Sequence, residues 1–436
     1  MQIFVSFFHR NKVMAELTFY YDVVCPFAYV ASRLIERIAE QCAAKIHWTP
    51  VLLNALYKAN ESQSPMVNSC NAKKIILRQQ FARMVQRFNV PINPPESHPA
   101  NSLSAMRLLA ATSCDSKLRV SLTHALFSSY WIENKDITSG EVLQKITRTI
   151  GWNVDVQDII AKSGTVLLMK NTEDALENGA FGVPSFLVNG KLFWGVDNLH
   201  FVERELGGKS ASPPRLTEPP KTPQSVNLTI YHDLGSPWSF LGSTQVENLI
   251  KVVKPVNVTI ESLPIVVGSL FKQIGTPVVP MRHFSAAKLT YLTKSLNDWC
   301  TFHGIKGFKF PSNFPLKTVL PMRLLLASRN DSELQAALYK AAWIEDKDIG
   351  DVEVLREILH KVGFDADKMF DNAQQQDIKD QLRANTDRAV KAGVCGVPSY
   401  QVNNGAIIWG QDRLNIVADL LCGWKDPLEE QMNSKL

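Results

Sequence analysis

The pattern of apolar and polar positions in this chain is written twice. A short apolar, β-rich run opens each copy, at Leu17–Val24 and at Leu228–Leu234, and a helical pattern led by a proline follows at once. A second strand is predicted at Lys45–Leu53 and at Val256–Leu263. Long stretches of helical periodicity come next, roughly Ala55–Gly179 and Val267–Gly393. Each copy then closes with Gly-Val-Pro-Ser and a hairpin, turning at Asn189-Gly190 in the first and Asn403-Asn404-Gly405 in the second. A final helix is predicted at Asp197–Leu206 and Asp412–Leu420, with the Asp as its cap.

The copies also match residue for residue. LTFYYDVVCPFAYVASRLIERI, from Leu17, is echoed by LTIYHDLGSPWSFLGSTQVENL, from Leu228. SLSAMRLLAA from Ser102 is echoed by TVLPMRLLLA from Thr318, and WIENKDI from Trp131 by WIEDKDI from Trp343. GVPSFLVNGKLFWGVD from Gly182 answers GVPSYQVNNGAIIWGQD from Gly396. The offset stays between 211 and 216 residues, far too long for a solenoid repeat, so one whole domain is duplicated. The predicted organisation is a first repeat over 16–206, with its helical insertion at about 55–179. A Pro-rich linker over 207–226 leads to a second repeat over 227–422, with its insertion at about 267–393, and a tail over 423–436. The order β-α-β, helices, β-β-α predicts an α/β fold class: two tandem thioredoxin-like domains, each with an all-helical insertion.

Composition narrows the function classes. The chain has 436 residues, 45% of them hydrophobic and 20% charged, enough for a buried core in each repeat. A net charge of +5 with scattered basic residues argues against nucleic acid. No apolar run is long enough to predict a membrane span. The seven cysteines never form C-x-x-C and show no zinc spacing, which predicts a reduced protein without a metal site. Residues before Met14 make a poor secretory signal. The chain ends in Ser434-Lys435-Leu436, the peroxisomal address, so an import receptor is an expected partner; a mitochondrial or cytosolic location is the alternative.

Chemistry is expected at the strand-to-helix turn. The residue before the helical proline, Cys25 or Ser236, stands at a helix N-terminus, where backbone N–H groups and the helix dipole favour an anion. A thiol or hydroxyl there can stabilise a thiolate, its own or a ligand's; the plainer role is a helix cap. Pro184 and Pro398 each follow Gly-Val and start an extended segment. Trp-Gly-x-Asp ends each copy with Asp197 or Asp412 at a helix start, where a carboxylate can cap the helix or receive an ammonium group.

Both repeats resemble the kappa class of glutathione transferases and the related 2-hydroxychromene-2-carboxylate isomerases. The resemblance rests on Asp233–Ser239 (D-x-x-S-P-W-S), Ser102–Arg107, Asn134–Thr138, Phe-Gly-Val-Pro and Trp-Gly-Gln-Asp-Arg. Lys288-Leu-Thr-Tyr-Leu with Asn297-Asp-Trp is similar to the isomerase branch. It implies a cis proline at 184 and 398. It also implies that Ser236 is the catalytic serine, replaced by Cys25 in the first repeat, and that the backbone of Val183 and Val397 pairs with the cysteinyl part of glutathione. Gln411-Asp412, and Val196-Asp197 in the first repeat, would take the γ-glutamyl end. Lys288, and Lys73 in the first repeat, would take the glycyl carboxylate. Arg413 matches the family where the first repeat has Asn198, so the second repeat keeps more of the pattern.

The implied activity is activation of the glutathione thiol for attack on a small electrophile or a peroxide, with glutathione as substrate and no metal. Isomerisation of a chromene-type carboxylate, a monothiol oxidoreductase cycle at Cys25 and an inactive tandem scaffold are the alternatives. Because kappa-type enzymes are dimers of single-repeat subunits, the tandem chain is expected to form an intramolecular pseudo-dimer.

Overall fold

A computed structural model of the chain describes residues 14–112, 116–209 and 215–428. The leader before Met14, Cys114 and the C-terminal Ser-Lys-Leu lie outside these residues. Each repeat carries one four-stranded sheet. In the first, β1 (Ala15–Tyr21) pairs in parallel with β2 (Ala44–Pro50) and antiparallel with β3 (Ser185–Val188), which pairs in turn with β4 (Lys191–Trp194). In the second, β5 (Ser225–His232), β6 (Asn257–Pro264), β7 (Ser399–Val402) and β8 (Ile408–Trp409) repeat that arrangement, in the order β6-β5-β7-β8. The chain is thus mixed α/β, with two thioredoxin-type domains.

The parallel β1–β2 and β5–β6 pairs need a crossover, supplied by the helices that start at Pro26 and Pro237. Proline suits a first helical turn because its missing N–H would have no intrahelical partner there. The antiparallel hairpin of the first repeat turns at Asn189 and Gly190, both at positive φ. Its sheet face is aromatic: the Phe19 ring stacks 5.2 Å from Phe186 and 5.1 Å from Tyr21, and Trp48 meets both Phe19 and Tyr21 edge-on. Aliphatic residues fill the equivalent place in the second repeat, with Leu228, Ile230, Val402 and Ile408 around Tyr400. Among the described residues no helix is long and apolar enough to cross a membrane.

The compact units do not follow the repeat boundaries throughout. Unit 1 is Met1–Ala59 with Val90–Pro213, and unit 2 is Asn60–Asn89 with Pro214–Leu436. Residues 60–89 therefore belong to the first repeat by sequence and to the second unit by packing. The helix Asn71–Arg87 explains why. Its Ile76, 1% exposed, joins the core of Tyr231, Leu263, Val397 and Ile407. Arg83, wholly buried, reaches Asp426 at 2.7 and 2.9 Å and the Ile407 carbonyl at 3.1 Å, while Arg87 pairs with Asp419. Gln80 donates to the Trp409 carbonyl at 3.3 Å. Buried arginines stay charged and must be paired, so this helix is anchored by charge as well as by apolar area. The middle of the predicted linker is held too: the amides of Leu216 and Thr217 donate to the Asp419 carboxylate within unit 2.

Candidate functional site

The two Pro-led turns are held by the same four devices. Asp22 accepts from the Leu53 amide at 3.0 Å, the Val24 amide at 3.2 Å and the Ser102 hydroxyl at 3.0 Å. Asp233 accepts from Val267 at 2.8 Å, from Gly235 at 2.9 Å and from the Thr318 hydroxyl. Both carboxylates are fully buried, and burial raises both pKa values, Asp22's to about 6, although the amide donors pull them down. The indole of Trp131 donates to the Val23 carbonyl at 2.8 Å, and that of Trp343 to the Leu234 carbonyl at 2.9 Å. Ser185 and Ser399 each donate to the glycine carbonyl three residues earlier, at 2.7 Å. The four sequence echoes are therefore the frame of this turn: Asp, Ser or Thr, Trp, and Gly-Val-Pro-Ser.

Val183–Pro184 and Val397–Pro398 are both cis. Each places a valine carbonyl against the residue before the helical proline: Cys25 Sγ donates to Val183 O at 3.3 Å, and Ser236 Oγ to Val397 O at 3.2 Å. Glycine is required before that valine, because a Cβ on Gly396 would come within 2.8 Å of Trp409 Nε1. Gly410, at φ 110°, then lets the chain turn into Gln411-Asp412. Gly242, in the Pro237–Thr244 helix, completes the approach: a Cβ there would meet Pro398 at 3.2 Å and Gln411 at 3.5 Å. Close backbone contact thus brings Ser236, Val397 and Gln411-Asp412 to one edge of unit 2.

What the turns hold differs. Ser236 Oγ accepts from the Ser239 amide at 3.2 Å and so caps its helix. Cys25 makes no side-chain cap bond. It is 6% exposed, and burial first, then the charge of Asp22, push its thiol up to about 12, despite help from the amides of Ala28 and Phe27. Desolvation thus works against the thiolate that the helix N-terminus was expected to favour, and outweighs the two amides. Tyr57, whose own pKa is raised by burial and then by Cys25 and Asp22, stands near the thiol.

The outer residues differ as well. Gln411 is 3% exposed, its Oε1 lies 3.3 Å from His303 Nε2, and His303 stacks on Trp299. The Gln411 amide nitrogen has no partner among the described residues. Asp412 pairs with Arg413 at 2.5 Å. In unit 1 the matching positions are the buried Val196, the half-buried Asp197, and Asn198, which donates to Trp194 O at 2.7 Å. Neither aspartate caps its helix; each lies inside a 3-10 turn, Val196–Asn198 or Gln411–Arg413, that the positive-φ glycine starts. Lys288 is half-buried, with Nζ 4.0 Å over the Phe284 ring, and burial together with the nearby Lys73 lowers its pKa to about 8. Lys73, expected in the first-repeat site, packs within unit 2, with Nζ 5.6 Å from the centroid of the Trp409 ring.

Sequence reasoning missed His303 and Tyr57 as members of these sites. For Tyr57 a signal existed: Phe271 stands at the matching place in the second repeat, so a hydroxyl accompanies the thiol in one copy only. His303 had none, since it meets Gln411 only in three dimensions. Among the described residues no cluster of three or more His, Cys, Asp or Glu is placed to hold a metal ion.

Fold and turn define a thioredoxin-type protein with a single hydroxyl or thiol before the helical proline. The family model of the DSBA-like thioredoxin domain matches residues 16–207 and again 227–422, and the chain belongs to that family. It is 27% identical to glutathione S-transferase kappa 2 of Caenorhabditis elegans over 229 residues, 48% of this chain and 98% of that protein. It is 21% identical to 2-hydroxychromene-2-carboxylate isomerase of Pseudomonas putida over 193 residues, 43% of this chain and 93% of that protein. A solved structure of a 2-hydroxychromene-2-carboxylate isomerase aligns with 48% of this chain and 99% of its own at 21% identity, with a TM-score of 0.40. Each of these relatives thus corresponds to about half of this chain.

Proposed function

We propose that the second repeat is a glutathione transferase of kappa type, which activates the glutathione thiol for conjugation to a small electrophile or for reduction of a peroxide. The observation that carries this reading is Ser236, a hydroxyl at a helix N-terminus that faces the main chain of Val397. With glutathione bound, Ser239 N–H still donates to Ser236 Oγ while the hydroxyl proton turns from Val397 O to the thiolate sulfur, and the Val397 main chain pairs with the cysteinyl unit. A free thiol has a pKa of about 8.5, and lowering it by 1.5 units needs about 2 kcal/mol. One charge-assisted hydrogen bond and a helix N-terminus are of that order. The thiolate then forms a C–S bond as the leaving group departs with its electron pair. Gln411, with its unused buried N–H, and Asp412 serve the γ-glutamyl end, and Lys288 the glycyl carboxylate.

The kappa-named and isomerase-named relatives support enzyme chemistry on this frame. Isomerisation of a chromene carboxylate, with glutathione as a transient nucleophile, is the second reading, favoured by the Lys288-Leu-Thr-Tyr-Leu resemblance. A monothiol cycle at Cys25 is disfavoured by that thiol's burial and raised pKa. Assays of the full chain with chloronitrobenzene and with chromene carboxylate decide between transferase and isomerase. Ser236→Ala is expected to cut glutathione-dependent turnover about 10–1000-fold, the range for losing a donor to a developing anion. Unchanged turnover and pH profile in that variant would remove Ser236 from the mechanism, and no retention of the wild-type chain on immobilised glutathione would favour an inactive scaffold. Peroxisomal import through Ser434-Lys435-Leu436 belongs to this proposal; deletion of the three residues is expected to leave a fluorescent fusion in the cytosol.

A further inference from the structure

Around the helix Pro237–Thr244 the second repeat has polar side chains where the first has apolar ones. The sequence echoes align Ser239 with Ala28, Gly242 with Ala31, Tyr400 with Phe186 and Gln411 with Val196. All of these residues are buried, in both units. Burying a hydroxyl or an amide in place of a phenyl or isopropyl group is costly unless the polar atom finds a partner. Here two find none: Tyr400 Oη and Gln411 Nε2 have no hydrogen-bond partner among the described residues. Both side chains lie around one point under the helix. A Cβ on Gly242 would stand 2.5 Å from Tyr400 Oη and 3.5 Å from Gln411 Cβ. Glycine weakens a helix interior relative to alanine, so Gly242 makes room for the hydroxyl at a cost. Alanine serves at the matching place, 31, where the ring of Phe186 carries no hydroxyl.

We propose that Tyr400 and Gln411 bind one ordered water molecule beneath the helix that starts at Pro237. Unit 1 has no such site, because the residues at the matching positions are all apolar. A buried water makes two to four hydrogen bonds to polar groups that otherwise go unpaired. This one accepts from a Gln411 Nε2–H and makes a second bond with the Tyr400 hydroxyl, which can donate or accept. The Gln411 amide is then held at both ends, with Oε1 3.3 Å from His303 Nε2 and Nε2 on the water. An amide nitrogen carries two hydrogens, so one N–H stays available to a ligand. Tyr400 is thereby a positioning residue, acting on a ligand only through the water and Gln411. That consequence rests on the transferase reading, whereas the water site itself does not.

Tyr400→Phe separates a hydroxyl that holds a water from one left dry, because the two cases have opposite signs. Losing a water-bound hydroxyl strands the water and Gln411, so the thermal unfolding midpoint of the full chain should fall by roughly 2–6 °C. Losing a hydroxyl with no partner would instead remove an unpaired buried group and raise the midpoint. A crystal structure of the full chain, at a resolution that shows ordered water, should place one molecule within hydrogen-bond distance of both Tyr400 Oη and Gln411 Nε2. None should lie beneath the helix that starts at Pro26. In turnover assays Tyr400→Phe should raise the KM for glutathione about two- to tenfold at unchanged kcat, the scale of one neutral hydrogen bond. A midpoint that is unchanged or raised, or a dry site in the crystal, would each overturn the water. An unchanged KM would overturn the positioning role. Failure of the transferase reading would look different: no turnover in the wild-type chain, with the water in place and the midpoint of Tyr400→Phe still lowered.

Discussion

The turn at Cys25 and the turn at Ser236 share a frame and differ in their contents. In both, a buried aspartate, a hydroxyl, an indole and a cis-proline loop fix the residue before the helical proline. In unit 2 that residue is a hydroxyl that caps its helix, with a glutamine, an acid–arginine pair and two lysines on the same unit. In unit 1 it is a thiol that caps nothing, with valine and asparagine at the matching positions and no counterpart of Lys288, since Lys73 has gone to the other unit. The lesson is that a shared frame preserves the placement of an atom and not its reactivity. A hydroxyl in a nearly dry turn can still donate a hydrogen bond, whereas a thiol there loses the thiolate on which its chemistry depends.

The largest expected effect concerns that thiol. With its pKa near 12, Cys25 should be alkylated at neutral pH about a hundredfold or more slowly than the half-exposed Cys70, because the thiolate is the reacting form. Peptide mass spectrometry over a time course reads this, and early labelling of Cys25 would break the contrast between the two turns. Next, Arg83→Ala should destabilise unit 2 by about 3–5 kcal/mol, since it leaves Asp426 buried and unpaired. Denaturant melts of the full chain measure it, and a loss below about 1 kcal/mol would mean that residues 60–89 are not anchored by this pair.

A smaller effect separates the two buried aspartates. Asp22's pKa, about 6 in the folded chain against an ordinary 3.8, makes its ionised form the costly one. Its contribution to stability is fully present below about pH 4 and is lost as pH rises through 6, on the order of 2–3 kcal/mol in all. Asp22→Asn should flatten the change in unfolding midpoint between pH 4 and 7, and an unchanged slope would place the titration elsewhere. The smallest expected change is none. Cleaving the chain within Gly207–Val226 should leave the halves together in gel filtration, because residues 60–89 stay covalently in the first half while their Ile76, Arg83 and Arg87 are built into unit 2. Halves that separate at micromolar concentration would refute the exchanged segment.

Much of the frame was legible because it is local or repeated. Pro26 and Pro237 mark the helix starts, Asn189-Gly190 the hairpin, and the echoes at Ser102/Thr318 and Trp131/Trp343 proved to be hydrogen-bonding partners of the turn. The cis prolines followed from family resemblance, which carries backbone geometry well. Helix caps at Asp197 and Asp412 did not follow, since the preceding glycine inserts a 3-10 turn that one-dimensional spacing does not reveal.

Sequence by itself determined the duplication, the fold of each repeat, and which residues stand before the helical prolines, because periodicity and turn chemistry are properties of neighbouring residues. Only the tertiary structure decided that Cys25 is dry, that His303 orients Gln411, and that residues 60–89 carry Lys73 into the unit that holds Ser236. Burial and long-range charge pairing depend on what the whole chain brings around a residue. For the helix Asn71–Arg87, the sum of Ile76 in one core and two arginines with buried acids outweighed its place in the sequence.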